Sequence, residues 1–455
     1  MREGAALIDK AEQMSFLPEE VFEFEIEQSD EPLIARSGLV LPHQMAKALG
    51  LPRKIDSELP SPGSPRGKAP SSFVMPILLM LHGGGKTLED LRELRAEVSL
   101  QRLLKIKYFP ASCTVGDWLR RMGKDGRGLE GLGRVNRYLV HKVWEKEEPG
   151  DYVLDADATV IESEKEAAEW TYQKVKGYQP LLGFVHREGD ENSKTEVGAK
   201  LPGLIVADEF RDGNVPAGAK AVAFLKRCAE MIPAPKRLSR VRADSAWYQA
   251  EVFNCCRELG ASYAICADLD AGVREAIKTI KEWKPYRADR QIGETIHTMR
   301  ETKEAFRLVV LRWPKEQADL FNQDPYFYHA VATDGEEAAE EVMAFYDQRG
   351  EVENWIKELK EGFGMEWMPC GETYANAVYF RLGVIAYNLF VAMKALTLPK
   401  GWQHHRIATI RWRLYEMAGH VFWESRRVRL ALATGIDKVR ILLQAGRRVQ
   451  GLVAT

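Results

Sequence analysis

Cysteine is scarce: six in 455 residues, at Cys113, Cys228, Cys255, Cys256, Cys266 and Cys370, with no C-x-x-C spacing among them. That pattern excludes a disulfide framework and a thiolate zinc site, and it predicts a reducing, cytoplasmic setting. Long apolar runs are lacking as well. The two best, around "VMPILLMLHGGG" and "FRLGVIAYNLFVAMKAL", are too short or are interrupted by Arg381, Asn388 and Lys394, so no membrane partner is expected. No signal peptide is read at the acidic start. There is no internal repeat and no long low-complexity tract. Net charge is nearly absent at -2, yet it is unevenly spread. Up to Pro32 acids dominate (Glu19, Glu20, Glu23, Glu25, Glu27, Asp30, Glu31), and from Gly401 bases dominate (Arg406, Arg411, Arg413, Arg426, Arg427, Arg429, Arg440, Arg447, Arg448). A basic tail is compatible with phosphate contacts, but from charge alone a solvated face is the commoner reading.

What is present is ordinary globular composition, 45% hydrophobic and 29% charged. Residues 33–148 read as mostly helical, with "SELPSPGSPRGKAPSS" as a linker and Thr87 and Thr114 as helix N-caps. From "DYVLDADATVIE" the period changes to alternation. "PLLGFVHRE" and "GLIVADEF" follow as antiparallel neighbours, then the helix "AKAVAFLKRCAEMI", the strand "RLSRVRAD", the helix "YQAEVFNCCREL" and the strand "SYAICADL". Three strands, helix, strand, helix, strand limits the chain to an α/β mixed sheet flanked by helices. The organisation read from these shifts is 1–32 acidic, 33–148 helical, 149–270 first part of the core, 271–333 a strand-rich insertion, 334–400 second part of the core, and 401–455 basic.

Three carboxylates stand out by placement: Asp157 ends the first strand, Asp244 ends the fourth, and Glu353 lies on a helix after the sheet. Divalent metal ions in phosphoryl transfer need hard oxygen ligands arriving from separate elements. Each residue also has an ordinary role, since a strand-end Asp caps helices and Glu353 can pair with Lys357 at i,i+4. Asp155 and Asp157 share a strand face, so alternation lets either reach a metal. "YDQRGEVENWIKELK" at 346–360 is more particular. On an uninterrupted helix Tyr346, Arg349, Glu353 and Lys360 fall at roughly 0°, 300°, 340° and 320°, an arc about 60° wide. Val352, Trp355, Ile356 and Leu359 occupy an adjoining apolar arc that would pack on the sheet.

Tyr-x2-Arg-x3-Glu-x6-Lys is the signature of one branch of the DDE transposases of bacterial insertion sequences. Together with "LDADAT", "YQPLLGFV", "EFRDGNVPAG", "RADSAWY" and "ENWIKELKEGFG...MPC", it makes the chain resemble the insertion-sequence-four-like group, and within it the thirteen-eighty relatives, over about residues 35–450. The resemblance implies a ribonuclease-H-like core in which Asp157, Asp244 and Glu353 bind two Mg²⁺ ions, or Mn²⁺ in their place. Asp157 is selected over Asp155 because the branch places its first Asp two before a Ser or Thr, here Thr159. It implies hydrolytic nicking at terminal inverted repeats of double-stranded DNA, followed by strand transfer within a homodimeric complex, in a bacterial cytoplasm. Arg349 and Lys360 would contact terminal phosphates, and Tyr346 would sit beside the scissile region. A structure-selective nuclease or resolvase, or a DNA-binding protein derived from a transposase, are the rival expectations. "MLHGGGKT" at 80–87 lacks the first glycine of a phosphate loop, His404 and His405 lack a partner at metal spacing, and Trp283 reads as core.

Overall fold

The computed structural model describes residues 29–189, 201–315, 324–424 and 427–453. Most of the acidic head, and Arg426 of the basic tail, lie outside them. A nine-stranded sheet runs through the molecule. In chain order its strands are β1 (Asp151–Ala158), β2 (Leu181–Arg187), β3 (Leu204–Glu209), β4 (Arg237–Ala243), β5 (Ser262–Cys266), β6 (Lys284–Pro285), β7 (Gln291–His297), β8 (Phe306–Pro314) and β9 (Tyr326–Thr333). The spatial order is β6-β7-β8-β9-β5-β4-β1-β2-β3. β1, β4 and β5 are parallel; on the other side β2 is antiparallel to β1, and β3, antiparallel to β2, runs in the direction of β1 again. This 3-2-1-4-5 arrangement is the ribonuclease-H-like core. Helices Ala221–Ala229 and Ala250–Glu258 make the crossovers, each closing a parallel connection.

Residues 271–333 do not form a separate layer. After a helix, Ala271–Lys278, they add four antiparallel strands to the β5 edge of the same sheet. Val331 pairs with Cys266, so Tyr326–Ala330 of β9 and the facing part of β8 run on past the end of β5.

The helical region packs on the other side through α1 (Ser71–Gly83), α2 (Ser112–Gly123) and α3 (Arg127–Trp144). Thr114 is not a cap, because α2 already starts at Ser112. At α1 the glycines act as a stop. Gly84 has φ +98° and the Gly85 N–H returns to the Met80 carbonyl, so "GGGKT" ends one helix and holds no phosphate cradle. A buried 24-residue helix after the sheet, Thr373–Leu396, is long and apolar enough to cross a membrane. Here 94% of its apolar window is buried, and it forms the centre of the fold. Asn388 on it accepts from Ile205 N–H and donates to Asn136 of α3, which fastens helix, sheet and helical region together. Leu33–Ile34 pairs with Gly419–Trp423, itself paired with Val428–Leu432.

The segment 335–362 is not one helix. It is α4 (Ala339–Asp347), a turn at Gln348–Arg349, α5 (Gly350–Lys357) and a π turn at Glu358–Gly362. Val352, Trp355, Ile356 and Leu359 pack inward as their spacing requires.

Candidate active site

β1 and β4 are parallel neighbours with Ala156 opposite Ala243, so Asp157 and Asp244 leave the sheet side by side at its carboxyl edge. Asp244 also accepts from the Ala246 N–H at 3.1 Å, so its capping role coexists with its place at the edge. Between the two carboxylates sits a cation. Arg349 Nη2 is 2.9 Å from Asp157 Oδ1 and 3.9 Å from Asp244 Oδ2. Burial pushes the Asp157 carboxyl up to about 6. The Arg349 guanidinium opposes that rise, while the charges of Asp244 and Glu353 add to it. Burial raises Asp244 too, again against Arg349.

Glu353 stands one turn after Arg349 with its side chain in solvent. Among the described residues, no three His, Cys, Asp or Glu side chains gather as a metal cluster. The donor set nonetheless fits a divalent cation. Two hard carboxylates converge on one positive group, each is raised by burial, and a third acid is near enough to be felt. Arg349 holds the position a cation would take, and its buried Nε has no hydrogen-bond partner.

The one continuous helix expected of 346–360 is interrupted by a tight turn at 348–349 and the π turn at 358–362, and its four polar residues lie at different depths rather than on one exposed face. Tyr346 is buried in a small core with Val309, Leu311 and Val331, its ring 5.5 Å from His329. Arg349 turns inward to the carboxylates. Lys360 is half-buried and donates to the Val160 carbonyl at 2.7 Å, just past Asp157.

Asp155 is committed elsewhere. Both its oxygens accept from Arg242, at 2.7 and 2.8 Å, deep inside the fold. The sequence reading missed Arg242. The signal was an arginine flanked by Val241 and Ala243 in the strand "SRVRAD", two before Asp244 as Asp155 is two before Asp157. It also missed Asp268, beyond β5, whose charge reaches Asp244. Trp283 lies beneath the Arg312 guanidinium, 4.0 Å from its centre.

Residues 23–454 match the family described as "Transposase DDE domain group 1". The chain belongs to that family. It is thus a DDE-type transposase, an enzyme that cleaves and transfers DNA strands with divalent metal ions. Among solved structures the transposase is similar to a cryo-EM structure of the piggyBac transposase synaptic complex with hairpin DNA. The two share 10% identity with a TM-score of 0.43, over 79% of this chain and 75% of that one. No curated protein sequence matches the chain.

Proposed function

We propose that this transposase serves a bacterial insertion sequence of the insertion-sequence-four-like branch. It binds the terminal inverted repeats and moves its element by cut-and-paste, through Mg²⁺-dependent nicking and strand transfer. The observation that carries the reading is the convergence of Asp157 and Asp244 on one cation at the carboxyl edge of the sheet, with Glu353 one turn away. Asp157, Asp244 and Glu353 would hold two Mg²⁺ ions, or Mn²⁺, which supply charge neutralisation at the scissile phosphate and an activated attacking oxygen. Arg349, no longer needed to balance the carboxylates, then has a phosphate as its best remaining acceptor. Lys360 and Tyr346 complete the site, the first as a point charge for a terminal phosphate, the second as packing under Arg349.

End recognition is assigned to 33–148 and a second DNA contact to the basic 401–455. Paired ends require a homodimeric complex, working in the cytoplasm on double-stranded DNA without a membrane. The deciding experiment incubates the protein and Asp244→Asn with a duplex carrying the element's own end, in Mg²⁺ and in EDTA. Metal-dependent cleavage with joining to a target plasmid, lost in the variant, is the expected result. Cleavage without joining favours the structure-selective nuclease, and tight binding without cleavage in either protein favours the derived DNA-binding protein.

A further inference from the structure

We infer that Arg242 is a positioning residue that aims the Glu353 segment at the paired strands. Arg242 lies two residues before Asp244 on β4, and in the parallel register it stands opposite Asp155, two before Asp157 on β1. Its side chain is 0% exposed and that of Asp155 is 1%. Nε donates to Oδ1 at 2.7 Å and Nη2 to Oδ2 at 2.8 Å, a fork that fixes the two strands against each other directly behind the catalytic edge. His186 on β2 brings Nε2 within 3.0 Å of both partners.

The remaining terminal nitrogen reaches a third element. Nη1 donates to the Phe345 carbonyl at 2.8 Å and approaches Gln348 Oε1 at 3.3 Å, while the guanidinium lies 4.6 Å from the Phe345 ring centre. Phe345 and Gln348 bracket the end of α4 and stop one residue short of Arg349, where the backbone turns to start the Glu353 helix. One side chain therefore touches the strand of each catalytic Asp and the turn that orients the third acid. A well-packed apolar pair would fill this volume as stably as a buried ion pair. It would not hold the Phe345 carbonyl or the Gln348 amide at a set angle to the strands.

The inference rests on the metal-centre reading above, and Mn²⁺ is the probe. Mn²⁺ affinity is measured by electron paramagnetic resonance on the full chain, for wild type, Arg242→Lys, Glu353→Gln and the double variant, with melting temperatures alongside. A lysine keeps the charge and loses the fork. In wild type, Glu353→Gln is expected to weaken Mn²⁺ about tenfold; in the Arg242→Lys background, where Glu353 no longer points at the site, it is expected to cost less than about twofold. A full Glu353 contribution in folded Arg242→Lys overturns the inference. If Arg242→Lys does not fold, the same cycle with Gln348→Ala, which removes the Gln348 contact and leaves the Asp155 fork in place, decides by the same criterion: coupling supports the inference and additivity overturns it. Absence of any Mn²⁺ site sensitive to Asp244→Asn overturns the metal reading and this inference together, a result distinct from an intact site with additive losses.

Discussion

At the scale of residues, burial opposes the charge of Asp157. Its carboxyl is raised from 3.8 to about 6, so between those pH values the folded chain holds a proton that the unfolded chain has released. Stability therefore falls as pH rises through that window, and at pH 7.5 the deficit is up to about 3 kcal/mol. Asp157→Asn is expected to melt higher than wild type in EDTA at pH 7.5, with the difference vanishing as pH falls below the unfolded value of 3.8, where Asp157 is protonated in both states. Added Mg²⁺ should raise the wild-type melting temperature and leave that of the variant nearly unchanged. Calorimetry reads both. A variant that melts lower at pH 7.5 would mean that the Arg349 pairing outweighs the burial of the charge. The strand-end placement of Asp157 was legible because it follows from local pattern alone. The burial of Arg349 was not, since just past a break in the helix it meets carboxylates from two strands distant in sequence.

At the scale of elements, that break marks the limit of periodicity. The apolar stripe of Val352, Trp355, Ile356 and Leu359 is a local property and emerged as its spacing demanded. Neither Gln348–Arg349 nor Glu358–Gly362 contains proline, and the π turn is set by tertiary bonds, the Glu358 carboxylate on Ile407 N–H and Arg411 on the Gly362 carbonyl. No window of sequence displays such partners. The succession of strands and helices and the mixed sheet were readable, because alternation and short connections leave few topologies. Close contact between helices is an element-scale property with its own test. A Cβ on Gly123 of α2 would lie 2.3 Å from the Tyr374 carbonyl oxygen, at the start of the central helix, whereas one on Gly350 would meet nothing within 4 Å. Gly123→Ala is expected to destabilise by about 1–3 kcal/mol. Gly350→Ala should stabilise by about 0.5–1 kcal/mol. Denaturant titration of the two variants separates them by sign.

At the scale of the molecule, composition shifts suggested six consecutive segments, and the packing joins the described ones. One continuous apolar core includes Leu39 and Val74 from the helical region, Val241 from the sheet, Tyr387 from the central helix and Val449 near the end of the chain. Residues 149–400 expressed alone would leave the apolar face of the central helix uncovered. That fragment is expected to be insoluble, and limited proteolysis of the intact chain should release no stable piece of that size. A soluble, cooperatively melting fragment would overturn this. Long-range stitching of this kind, such as Arg381 on Asp208 or Leu33 against His420, has no sequence signature because its partners lie hundreds of residues apart.

The sheet extension also raises one flank of the edge that bears Asp157 and Asp244. Five residues of β9 overshoot the end of β5, a projection of about 17 Å at strand rise. Beside Asp157 and Asp244 it stands as a parapet, with Tyr346 and His329 at its foot. On the other flank residues 159–180 leave the same edge beside Asp157 and fold into a three-stranded sheet (Ile161–Glu162, Glu169–Trp170, Lys176–Tyr178) before returning as β2, so the carboxylates are walled on both sides.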